Sequence, residues 1–119
     1  MPNQNMQART RAFALDIIRL VDPLPRGRSA DAIGGQLVRS ATSIGANYRS
    51  ACRARSRADF IAKMKIVEEE ADESVYWLEL LLDSGLVPAD LVEGRLREAN
   101  EIVAIVVASI RTARANERT

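Results

Sequence analysis

Apolar positions recur along this chain at alternating steps of three and four, the spacing of one helical face, in four separate stretches. In the first, Phe13, Ile17 and Leu20 make one stripe, with Ala14, Ile18 and Val21 beside it, and Pro23 and Pro25 end it. Residues 25–29 read as a connection in which Ser29 is a candidate N-cap. The second stretch carries Leu37, Ala41, Ile44, Tyr48 and Ala51. Gly34, Gly35 and Gly45 weaken it by roughly 1 kcal/mol each relative to alanine, so packing has to compensate, and Gly45 beside Ala41 marks a close helix approach. The third is the longest: Phe60, Met64, Val67, Ala71, Ser74, Leu78 and Leu81, widened by Ile61, Val75 and Leu82. Ser56 with Asp59 resembles a capping box at its start, Gly85 supplies a left-handed terminator, and Pro88 suits the first turn of the fourth helix. That fourth stretch carries Val92, Leu96, Ala99, Val103, Val106, Ile110 and Ala113, with Ile102, Ile105 and Val107 making it apolar on more than one face.

The spacing predicts helices over about 5–22, 29–54, 57–84 and 88–115 within one domain, 1–119. Short connections make successive helices antiparallel neighbours, so the expected fold is all-α, an antiparallel up-down-up-down four-helix bundle. The excess apolar surface on the fourth helix favours self-association.

Composition agrees: 47% of the 119 residues are hydrophobic and 4% aromatic, a balance that favours helix over sheet and suffices for one core. No apolar run approaches the roughly 20 residues that span a bilayer, and the first residues lack a cationic-then-apolar leader, so a cytoplasmic protein with no membrane partner is expected. One cysteine, Cys52, cannot close an internal disulfide; it reads as a small buried apolar residue. With no histidine, zinc and haem sites are not expected, and no cofactor is. The net charge of +1 hides a division: residues 1–65 hold twelve Lys/Arg against four acids, a net of +8 that leaves −7 for the rest.

If the second and third helices turn back near Ser56, residues whose numbers sum to roughly 113 face each other, which brings Arg39 near Glu73 and Ser43 near Glu70. The expected arrangement is a polar layer in which Arg39, Ser40, Ser43 and Asn47 bond to Glu70 and Glu73 and fix helix register. The competing reading makes Glu69, Glu70 and Glu73 an acid/base or cation-binding cluster; it is the weaker one, because di-metal bundles use Glu-x-x-His pairs. Arg49, Arg53, Arg55, Arg57 and Lys63 crowd the hairpin tip. They are either a plain solvated turn or an anion-binding patch, and with only Tyr48 nearby any such binding would be phosphate-driven and weakly sequence-selective. Of the adjacent aromatics Tyr76 and Trp77, Trp77 is the candidate to leave the intramolecular seam, either to pack on the fourth helix or to enter a subunit interface. No nucleophile–base pair or glycine-rich phosphate loop is present, so the chain is not expected to be an enzyme.

The run Leu37-Val38-Arg39-Ser40-Ala41-Thr42-Ser43-Ile44-Gly45-Ala46-Asn47, then Ser56-Arg57-Ala58-Asp59-Phe60-Ile61 and Glu69-Glu70-Ala71-Asp72-Glu73-Ser74-Val75-Tyr76-Trp77-Leu78-Glu79-Leu80, resembles a known family. It is that of the small four-helix bundle proteins encoded in intervening sequences of large-subunit ribosomal RNA genes, to which the accessory variability determinant of diversity-generating retroelements is related. Many members carry an acid shortly after the equivalent of Asn47, where this chain has Arg49, Ser50, Arg53 and Arg55. The resemblance implies a protomer that assembles as a ring-like homopentamer. It also implies a nucleic-acid link, since the best-understood relative is a basic, nucleic-acid-binding partner of a reverse transcriptase. The expected function is therefore a non-enzymatic oligomeric scaffold that binds RNA or DNA non-specifically through the Arg-rich tip. The alternative is a protein–protein interaction module with no nucleic-acid role. Expected partners are further copies of itself as a pentamer, RNA or DNA, and a reverse transcriptase or another protein.

Overall fold

The computed structural model describes residues 4–117, and among them it contains four helices and no strand. They are α1 (Gln4–Val21), α2 (Arg28–Ala51), α3 (Arg57–Ser84) and α4 (Ala89–Glu117). Each helix packs against the next in an elongated bundle of 51 × 22 × 20 Å, and α1 closes it more sparsely against α4. No helix among the described residues is long and apolar enough to cross a membrane.

The 3-4 stripes are what the bundle buries. Phe13, Ile17 and Leu20 of α1 and all five α2 seam residues lie inside, as does every α3 seam position from Met64 to Leu81. In α4 the stripe runs through Val92, Ala99, Ile102, Val106, Ile110 and Ala113. Leu96 and Val103 are half-buried at its edge, and Ile102, expected on a second apolar face of the helix, is fully buried within it. Much of the apolar excess on α4 is thereby absorbed within the protomer, and only Ile105 and Leu91 remain as exposed large hydrophobics on that helix.

Two glycines set how closely α1 approaches α2. A Cβ on Gly45 would stand 3.3 Å from Thr10 Oγ1, and one on Gly34 would stand 2.9 Å from Val21 Cγ1. Both pairs sum to 55, which defines the antiparallel register of this hairpin. The α2–α3 register has its own marker, a hydrogen bond between the fully buried hydroxyls of Ser40 and Ser74. Along the other edge α1 is tied to α4 by charge: Arg9 donates to Glu98 at 2.6 and 2.7 Å, and Arg95 donates to Asp16 at 3.0 Å.

The helix ends follow local chemistry. Ser56 caps α3 by accepting from the Asp59 N–H at 3.0 Å, and Gly85 (φ 73°) ends it in the left-handed conformation. Ser29 does not cap α2. Gly27 holds that position in extended backbone without a side-chain bond, and Asp31 N–H closes the first turn onto Gly27 O, which takes Ser29 into the helix. The far end of α2 stops at Ala51, short of the expected 54, because Arg53 and Ala54 donate to carbonyls three residues back and tighten the chain into the turn.

Candidate nucleic-acid interface

The α2–α3 hairpin positions nearly every candidate residue. Midway along it, Arg39 of α2 reaches across to two carboxylates of α3, donating to Glu70 at 3.0 Å and to Glu73. Burial pushes the Glu73 carboxyl up, but the hydrogen bond from Arg39 leads the opposing effects and holds it below its ordinary range. The same contact raises the Arg39 guanidinium. The cluster is a surface clamp, with the Arg39 side chain 48% exposed and those of Glu70 and Glu73 at 18% and 33%.

Ser43 and Asn47 do not join it. Ser43 Oγ donates to Arg39 O at 2.7 Å and Asn47 Nδ2 to Ser43 O at 2.8 Å, each satisfying itself on the preceding turn of its own helix. The polar group that is truly buried between the helices is Ser40 with Ser74. Glu69 faces solvent, apart from the clamp, and among the described residues no three His, Cys, Asp or Glu side chains are grouped to hold a metal ion.

Trp77 follows Glu70 and Glu73 in steps of three and four on α3, and it is half-buried against the hydrophobic core. Its Nε1–H is buried with no hydrogen-bond partner among the described residues, yet it is near enough to Glu73, one turn back, to favour the charged carboxylate. The aromatic that turns outward is Tyr76, 53% exposed, with its ring edge-on to Trp77 at a centroid distance of 5.0 Å.

At the tip the hairpin carries its cations into two adjoining grooves. One lies across the hairpin and is lined by Arg49, Arg53, Arg55 and Lys63 with Ala46 and Ser50. The other lies between α1 and α2, and there Arg11 joins Arg49 and Arg53 beside Thr42 and Gly45. Arg49 and Arg53 therefore form a ridge shared by both, and no carboxylate lines either groove. Lys63 is paired with Asp59 at 3.0 Å; that bond and one from the Arg55 backbone N–H keep the Asp59 carboxyl below its usual range. The guanidinium groups of Arg11, Arg49, Arg53 and Arg55 make no ion pair among the described residues. Arg57 stands apart, in a third groove shared with Cys52, Phe60 and α4 residues Ser109 and Thr112. Cys52 is half-buried there. Arg11 is the member that sequence spacing on α2 and α3 misses, because only the packing of α1 brings it to the tip.

The family model described as 23S rRNA-intervening sequence protein matches residues 3–108. The fold is similar to a crystal structure of a protein with unknown function from the S23 ribosomal protein family of Bacteroides thetaiotaomicron. That likeness has a TM-score of 0.82 and 36% identity, and covers 88% of this chain and 97% of the other. No curated protein matches the chain.

Proposed function

This chain belongs to the 23S rRNA-intervening sequence protein family, and from that premise we propose that it is a non-enzymatic scaffold that holds RNA or DNA by the phosphate backbone, without sequence preference, at the Arg-rich end of the bundle. The observation that carries the reading is the pair of adjoining grooves lined by Arg11, Arg49, Arg53, Arg55 and Lys63 and by no carboxylate. Guanidinium groups without an internal partner are suited to charge-assisted bonds with phosphate oxygens, and Asp59, bonded to Lys63, leaves those of Arg11, Arg49, Arg53 and Arg55 unpaired. Self-association as a ring-like homopentamer belongs to the same reading: copies of the patch around a ring would bind one polymer with multivalent strength. The separation of a basic end from acidic faces on α3 and α4 supports such assembly by giving one copy a surface complementary to another.

The test is fluorescence anisotropy of a labelled RNA and a labelled DNA across a salt series, with size exclusion and light scattering on the free protein. Expected are binding at low salt that weakens steeply as salt rises and a mass above that of one chain. Binding that ignores salt, or none at low salt, would refute the nucleic-acid role, and a monomer at all concentrations would refute the assembly.

A further inference from the structure

We infer that the polymer this end accepts is a double helix rather than a single strand; the inference rests on the nucleic-acid reading above and adds the substrate class.

The first observation is the lack of any aromatic face at the grooves. Single-strand binders draw roughly 1–3 kcal/mol per base from stacking on exposed rings. Here Tyr48, the aromatic nearest the ridge in sequence, is 4% exposed, and Phe13 is 3% exposed. Phe60 lines the separate groove toward α4, and Tyr76 lies thirteen residues beyond Lys63 on α3, about 20 Å along the helix axis. Unstacked bases would find no aromatic ring in either groove and only guanidinium planes to lie on.

The second observation is the shape. A ridge, Arg49 and Arg53, is flanked by Arg11 on one side and by Arg55 and Lys63 on the other. A duplex offers two rows of phosphates on either side of a groove, so the ridge can face the groove while each flank meets one row. A single strand offers one row and fills one flank. The duplex also gains more from each phosphate neutralised, since its condensed counterions give a salt slope of about −0.9 per contact against about −0.7 for a single strand.

Full-length protein is titrated into a labelled RNA duplex of about 20 base pairs, long enough to cover one patch, the matching DNA duplex, and each unpaired strand, all over a salt series. Expected is duplex binding at least about tenfold tighter than single-strand binding at equal phosphate concentration, with a log–log salt slope of about −3 to −4 from the four unpaired arginines. Arg11→Ala and Arg55→Ala, one from each flank, should each weaken duplex binding several-fold and lower the slope by about 0.9, while thermal stability does not fall because both residues are exposed. Single strands binding as tightly as duplexes overturn the duplex inference and leave the nucleic-acid reading intact. A loss confined to one of the two variants also overturns it. If neither polymer binds at low salt, the nucleic-acid reading itself fails.

Discussion

Ser40 and Ser74 share a 2.8 Å hydrogen bond across the α2–α3 seam, and both residues are fully buried. Each hydroxyl also lies within reach of a carbonyl on its own helix, Leu37 O for Ser40 and Glu70 O for Ser74. Two hydroxyl hydrogens cannot fill three bonds at once, so the pair admits two polarities, in each of which one hydroxyl bridges and the other bonds its own backbone. Removing one serine leaves the survivor its backbone acceptor. Ser74→Ala should therefore cost only about 1 kcal/mol, and the Ser40→Ala, Ser74→Ala double variant no more than either single one. A double-mutant cycle by urea unfolding checks this, and strict additivity would show that the bridge does not couple the helices.

Gly34 and Gly35 are neighbours with opposite prospects. A methyl at Gly34 would press on the branched, unyielding Val21 at 2.9 Å, whereas nothing lies within 4 Å of one at Gly35. Gly34→Ala should lower stability by about 1–3 kcal/mol through overpacking, and Gly35→Ala should raise it by roughly 0.5–1 kcal/mol through helix propensity. Thermal melts of the two variants side by side decide it, the expected signs being opposite.

The Arg39–Glu73 pair gives stability an acid limb. A carboxyl held low in the folded state contributes fully above the unfolded glutamate value of about 4.3, and its contribution disappears as pH falls through the lower folded value. Asp59, also held low, adds in the same direction. Urea midpoints measured from neutral pH downward should fall in that acid window. Glu73→Gln should flatten the fall and lower stability at neutral pH by up to about 1 kcal/mol, as for a partly exposed ion pair. A variant with an unchanged melting temperature would remove Glu73 from any register role.

Trp77→Ala should cost about 2–3 kcal/mol of protomer stability and Tyr76→Ala less than about 0.5 kcal/mol, because one ring packs on the core and the other stands 53% exposed. Denaturant unfolding compares them. If Tyr76→Ala instead lowers the assembled mass in light scattering, the outward ring is an interface residue.

Much of the fold is legible in the residues. The 3-4 spacing of Leu37 to Ala51 and of Met64 to Leu81 marks the buried faces because a helix repeats every 3.6 residues whatever it packs against. Gly85 is legible for a similar reason, as a left-handed terminus needs no Cβ. Facing-number arithmetic brings Arg39 to Glu73, but it fails for Ser43 and Asn47, whose short side chains find their own helix carbonyls before any partner on α3. Trp77 is in principle readable as a core-packed residue, since it lies three positions after Ser74 and four before Leu81, both buried, and Tyr76 fits neither step. Arg11 is harder: its place depends on the α1–α2 register that Thr10–Gly45 and Val21–Gly34 define, and that register is a tertiary fact.

The bare cationic end also has a thermodynamic side. Arg49, Arg53 and Arg55 are neighbours in sequence, and folding brings Arg11 of α1 to them with no carboxylate in the grooves they line, adding a like charge that the unfolded chain keeps apart. That mutual repulsion is a local tension in the native state, relieved by any counterion that settles there. Moderate salt should therefore stabilise this protein, and a polyanion should do so at far lower concentration by binding the folded form alone. The melting temperature becomes a readout of occupancy at the tip.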